Sequence, residues 1–182
     1  MIYDFLVYCF IPAASVWFAG TSGWMSSNFS ILRNSGRWSA IFLAWGIILL
    51  LCFSLWFRDI SRSLSGPRTA DRLARGAGLI LAAALFTPYL PDQFPRLSRL
   101  HFYCAFLSPV LFMAGLLLLL LRFRQVSRCL ARRFLLGFWF VVLFSLILLW
   151  KGSMVTSALE IFFSSACSIL LRRLHKRTAA LG

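Results

Sequence analysis

A histidine and a glutamate of this 182-residue chain stand in apolar sequence and could move a proton there. His101 opens a long apolar run just after a turn punctuated by Pro88, Pro91 and Pro95. Histidine titrates near neutral pH, so in that position it is a candidate acid, base or headgroup contact. Glu160 lies inside another apolar run, where Ser153, Ser157, Ser164 and Ser168 share its face at helical spacing. Counted from Ser153, the carboxyl would sit roughly 10 Å down its helix. A charge at that depth is costly, so Glu160 is expected to face the interior of a bundle, protonated or paired. With His101 as general base and Glu160 as acid or orienting group, the two would make a catalytic pair if they lay within hydrogen-bond reach. The plainer readings are an interhelical hydrogen bond for Glu160 and an interfacial anchor for His101.

Two polar segments must position these groups. The turn before His101 carries Tyr89, Asp92, Gln93, Arg96, Ser98 and Arg99, and its three prolines make it stiff, because proline restricts both itself and the residue before it. Asp92 with Arg96 or Arg99 reads as an ordinary loop ion pair, of little energetic weight when exposed. The other segment, Gly20 to Arg37, is rich in Ser, Gly and Asn and includes Ser27, Asn28, Ser30 and Asn34. The expected ligand-binding set is Tyr89, Asp92, Arg99, His101 and Glu160, with Asn28 and Asn34 from the earlier loop; His101 and Glu160 are the catalytic candidates. Gly-x-Ser-x-Gly, His-Glu-x-x-His and phosphate-cradling glycine loops are all missing. With two histidines, one of them in the tail, and five cysteines at no metal-binding spacing, neither a metal centre nor a cofactor is expected.

Composition says where such a pair would operate. The chain is 60% hydrophobic with a mean hydropathy of +0.83, well above the globular norm of roughly 45–50% apolar residues. The net charge of +14 would point to nucleic acid in a soluble domain. Here the charges fall in short blocks between apolar runs of membrane-crossing length, so a nucleic-acid partner is not expected. The predicted fold is all-α: one polytopic transmembrane helix bundle over residues 1–182, with about six spans at 3–19, 38–57, 74–89, 100–121, 134–150 and 153–171. No Lys or Arg precedes the first run, which is therefore read as a retained helix rather than a signal peptide. Pro12 should kink it. In the third span Ala74, Gly78 and Ala82 repeat every four residues and should let a neighbouring helix approach closely.

Six spans alternate the loops between two sides. One side, comprising two arginine-rich linkers and the tail, collects fourteen Lys and Arg; the other collects five. That asymmetry orients both termini to the cytoplasm, in what reads as a multi-pass protein of a bacterial inner membrane. The same basic blocks could also grip anionic headgroups.

Pro88-Tyr89-Leu90-Pro91, followed by Leu97-Ser98-Arg99-Leu100-His101 and Ala105, resembles small six-helix bacterial membrane proteins related to the damage-regulated autophagy modulator (DRAM-like) superfamily. In those proteins a histidine opens the fourth helix after an outer loop, and an early polar loop carries Ser and Asn, comparable to Ser27, Asn28, Ser30 and Asn34. The resemblance implies a loose link to membrane-lipid organisation and no defined reaction. The expected function is an outward-facing polar pocket that binds a lipid headgroup, a small amphipathic ligand or a partner membrane protein. One alternative is an enzyme acting on a lipid or lipid-linked precursor. A transporter subunit ranks last, because it needs a continuous polar path and the inner halves of the spans are almost wholly apolar.

Overall fold

The computed structural model describes residues 2–22, 24, 29–30, 38–152 and 155–180. Among these residues the chain forms six helices and no strand. Helix α1 runs in three consecutive pieces, Ile2–Phe5, a π-helical turn Leu6–Phe10, and Ile11–Ser22. The others are α2 (Ser39–Ser63), α3 (Arg68–Phe86), α4 (Pro95–Val126), α5 (Arg128–Gly152) and α6 (Ser157–Ala179). The disturbance expected at Pro12 takes the form of that π turn. Proline lacks an N–H and its ring crowds the carbonyl four residues back, and widening the preceding turn relieves the clash. The Ile11 N–H accordingly bonds to the Leu6 carbonyl, five residues back.

Four helices, α1, α2, α4 and α5, are long and apolar enough to cross a membrane, and they describe a multi-pass membrane protein. Large apolar side chains stand outward along α5, among them Leu136, Phe140, Leu143 and Trp150, which suits a hydrocarbon surround. α3 and α6 fall short of that standard. α3 begins with Arg68, Asp71, Arg72 and Arg75, so its apolar part starts near Gly76, and α6 carries Glu160 near one end and Arg172 and Arg173 near the other.

The helices also overrun the expected spans at the basic linkers. α2 and α3 continue through the arginines and leave only Leu64 to Pro67 between them, while α4 and α5 are separated by Ser127 alone. A helix of 32 residues is longer than the roughly 30 Å hydrocarbon layer needs, so its arginine-bearing end reaches past the apolar zone. α3, by contrast, stops early. Pro88 forces Thr87 into an extended conformation (φ −85°, ψ 124°), and the helix ends at Phe86 rather than Tyr89.

Neighbouring helices run antiparallel, so both termini lie at one end of the bundle, called here the terminal end. The turn between α3 and α4 lies at the other, the hairpin end. α2 packs against α3, α3 against α4, α4 against α5, α5 against α6, and α6 against both α2 and α1. The main core joins Trp56, Phe57 and Ile60 of α2 to Leu116, Leu119 and Phe123 of α4 and Cys167, Leu171 and Leu174 of α6. At the hairpin end a smaller aromatic core gathers Phe18, Phe29, Phe42 and Trp45, with ring centroids 5.5–6.2 Å apart.

The serine stripe of α6 faces inward. Ser164 Oγ donates to the Glu160 carbonyl and lies 3.4 Å from Ser15 Oγ of α1; Ser168 is fully buried, and Ser153 lies outside the described residues. The small-residue face of α3 meets α2 at Gly78, where a Cβ would lie 3.5 Å from Leu50 and 3.6 Å from Ser54. The buried positions of α3 are Ala70, Ala77, Ala84 and Leu85, and Ala74 and Gly78 also line a crevice. A tighter approach is made at Gly115 of α4. A Cβ there would meet the Ala70 carbonyl oxygen at 3.1 Å, the Phe57 ring at 3.3 Å and Leu73 at 3.4 Å. Backbone cannot give way as a side chain does, so Gly115→Leu should destabilise the protein by about 1–3 kcal/mol in thermal unfolding in detergent, and Gly115→Ala by less. An unchanged melting temperature for the leucine variant would contradict this helix crossing.

At the terminal end, Asp4 accepts from Arg172 Nε at 3.0 Å and Lys176 Nζ at 2.9 Å. The Arg172 guanidinium also lies 5.5 Å and 5.8 Å from the ring centroids of Tyr3 and Trp56. This clasp ties α1, α2 and α6 together. Burial and the nearby Arg172 charge hold the His175 imidazole below its ordinary pKa, with Asp59 acting the other way. Its 3.6 Å approach to Asp59 is therefore a minor contact beside the Arg172 pair.

Candidate functional site

His101 reaches its position because the α3–α4 turn is folded back on itself. Pro95 starts α4 at a position where a missing N–H costs nothing. Ser98 Oγ accepts from the Leu90 N–H at 2.9 Å, and the Phe94 N–H donates to the Leu90 carbonyl at 2.8 Å. The imidazole, one turn further on, then lies under the frayed end of α3, where carbonyls lack helical partners. Its Nδ1 is 2.9 Å from the Ala84 carbonyl oxygen and 3.0 Å from that of Thr87. A carbonyl only accepts, so Nδ1 carries the hydrogen, and in the neutral ring Nε2 accepts from the Ser30 hydroxyl at 2.7 Å. The Tyr89 ring stands 5.6 Å away, tilted by 45°.

Glu160 is shallower than the sequence spacing implied. α6 starts at Ser157, with Thr156 as its N-cap, so the carboxyl lies only about 5 Å into the helix. There it faces the positive end of the helix dipole. Its Oε2 accepts from the Phe29 N–H at 2.7 Å, and nearby the Ala158 N–H donates to the Trp24 carbonyl at 2.9 Å. The described residues Trp24, Phe29 and Ser30 of the first polar segment thus lie at the hairpin end of the bundle, and are called here the strap. Phe29 buries its ring in the aromatic core, its N–H meets Glu160, and Ser30 meets His101. The two candidates are linked through consecutive residues of this strap.

The remaining expected residues divide by place. Tyr89 is half-buried beside His101. Asp92 and Arg99 are exposed in the turn and on α4, and neither they nor Arg96 form an ion pair among the described residues, against expectation. The prolines set the backbone of this turn, and the polar tips simply remain in solvent. Asn28 and Asn34, with Ser27, lie outside the described residues. Phe29 was not singled out by the sequence, since a lone aromatic in a Ser- and Asn-rich segment has no periodicity to mark it. Nor was Asp4, which stands in the first apolar run and pairs with a residue 168 positions away.

Beneath the strap, a crevice of about 610 Å³ opens between α2, α3, α4 and α6. Ser30, His101 and Glu160 line its hairpin end; Asp92, Arg99 and Tyr89 do not. Its middle is apolar, with Leu50, Phe53, Leu81 and Phe112 on the walls, and Arg58, Arg62, Asp71 and Arg75 frame its terminal end. From Phe42 to Arg62 along α2 the crevice extends about 30 Å at 1.5 Å per residue. Trp45 contributes a wall whose buried indole N–H has no hydrogen-bond partner among the described residues.

Chemically, a hydroxyl on an imidazole is the contact of a nucleophile with its base, yet both ring nitrogens are already committed to holding the turn and the strap. Glu160 is engaged by a backbone N–H rather than by His101. The arrangement works as a clasp over an amphipathic cavity. No family model matches the chain, and no curated protein or solved structure matches it.

Proposed function

We propose that the chain crosses a bacterial inner membrane six times, with both termini in the cytoplasm, and holds a membrane lipid or a comparably amphipathic molecule in the crevice. The observation that carries this reading is the crevice itself, apolar along its middle and polar at both ends. Ligand sites commonly combine apolar walls with a few convergent polar groups in this way. The charge asymmetry supports the orientation. The resemblance to DRAM-like proteins agrees with a role in lipid organisation, and a partner membrane protein engaging the strap is compatible with it. The clasped geometry of His101 and Glu160 favours holding over catalysis. The apolar middle of the crevice disfavours a polar conduction path.

Gly78 offers a direct test. A Cβ there meets only Leu50 and Ser54, at 3.5 Å and 3.6 Å, so Gly78→Ala should be tolerated while Gly78→Phe fills the crevice. Native mass spectrometry of protein extracted in mild detergent should show lipid retained by the wild type and the alanine variant. Retention should fall at least about tenfold in the phenylalanine variant, as expected when a pocket is occluded. Equal retention by all three proteins would overturn the proposal.

A further inference from the structure

The sequence placed the ligand's polar end outward, near His101. The crevice has a second and more strongly charged mouth at its terminal end. Arg58 and Arg62 stand one turn apart on the same face of α2, and Arg75 faces them from α3. All three are exposed, line the crevice and form no ion pair among the described residues. Asp71 shares the mouth, but Arg75 directs its Nε to the Asp71 backbone oxygen at 3.3 Å and not to the carboxylate. The mouth therefore carries three guanidiniums against one carboxylate. Immediately inward the walls become apolar, at Phe57, Phe53 and Phe112.

Resting on the lipid-holding reading above, we infer that the occupant is an anionic phospholipid of the leaflet at the terminal end, its headgroup phosphate held by Arg58, Arg62 and Arg75. Its acyl chain lies in the crevice toward the strap. Guanidinium presents a planar fork of donors matched to phosphate oxygens, and each basic residue near an anionic surface strengthens binding about fivefold. A zwitterionic lipid brings a cation of its own to the same arginines and loses that advantage. Free phosphate would meet the arginines but gain nothing from the apolar walls. A lipid uses both, which decides the source.

The test reconstitutes the full chain in nanodiscs of mixed phosphatidylglycerol and phosphatidylethanolamine. The lipid retained after transfer to detergent is then analysed by headgroup. Wild type should be enriched in phosphatidylglycerol by about tenfold over the bulk ratio. The triple variant Arg58→Gln/Arg62→Gln/Arg75→Gln should keep its lipid but lose the enrichment. A control triple, Arg68→Gln/Arg72→Gln/Arg124→Gln, removes the same charge from the same end without touching the crevice and should keep the enrichment. Equal loss in both triples would overturn the inference in favour of a diffuse surface field. Retained lipid without headgroup bias in the wild type would overturn the inference while sparing the lipid-holding reading, and absence of retained lipid would remove both. Displacement of the retained lipid by inorganic phosphate at equal concentration would also overturn the inference, since the acyl chain would then add nothing to binding.

Discussion

Replacing His101 by leucine is expected to release the strap and destabilise the hairpin end by about 3 kcal/mol. The imidazole touches α3, the turn and the strap together, through Ala84, Thr87 and Ser30. Its Nδ1–H supplies a hydrogen to the Ala84 carbonyl, and Ala84 is 3% exposed, so water cannot readily take over. The Ala84 carbonyl keeps the Thr87 N–H at 3.2 Å, so the cost is the loss of three contacts, to Ala84, Thr87 and Ser30, at about 1 kcal/mol each. Ser30→Ala removes only the outer contact and should cost about 1 kcal/mol. The ordering is checked by thermal unfolding, together with hydrogen exchange at the Phe29 amide, which donates to Glu160. That amide should exchange faster in His101→Leu than in Ser30→Ala. A leucine variant as stable as the wild type, with Phe29 still protected, would mean that the strap is held by its aromatic core alone.

The second large effect is expected at the opposite end. Arg172→Ala removes the bond to Asp4 and the cation over Tyr3 and Trp56 in one step. It should lower the melting temperature by on the order of 5 °C. Arg172 is 8% exposed, so a residue lost there is not replaced by solvent. Arg172→Lys should fall between, because a lysine keeps the charge but neither the fork nor the stacking plane. The exchanged pair Asp4→Arg/Arg172→Asp should recover part of the loss. If the exchange recovers nothing, the tie between α1 and α6 is packing rather than charge. If Arg172→Ala is neutral, the clasp has no stabilising role.

The helices were legible because hydropathy is a local property. A window of apolar residues marks a helix wherever its partners lie, and Pro88 and Pro95 mark where α3 stops and α4 starts. Helix ends at the basic blocks were not legible. Arginine is both a good helix former and an interfacial charge, so nothing in Arg58 to Arg75 signals that the helices run on through it. His101 and Glu160 were visible as polar exceptions in apolar runs. Their partners were hidden, since Phe29 and Glu160 are 131 positions apart and Ser30 and His101 are 71 apart. Contacts of that range leave no periodic trace. The depth of Glu160 was misjudged for a nearer reason: Thr156, an effective N-cap, starts α6 later than the apolar pattern suggested. His101 and Glu160 marked one end of the crevice, but its apolar length was not legible, because the small residues Ala74 and Gly78 read as a packing seam. Gly78 does meet α2, and the crevice opens beside that contact.

On the reading proposed above, a lipid occupies the space between α2, α3, α4 and α6. An experimental structure of the full chain in a lipid nanodisc tests it most directly. Elongated density should run from Arg58, Arg62 and Arg75 past Phe53, Leu81 and Phe112 toward His101. A crevice filled by Phe53, Leu81 and Phe112 collapsing onto one another, with no density between them, would contradict this.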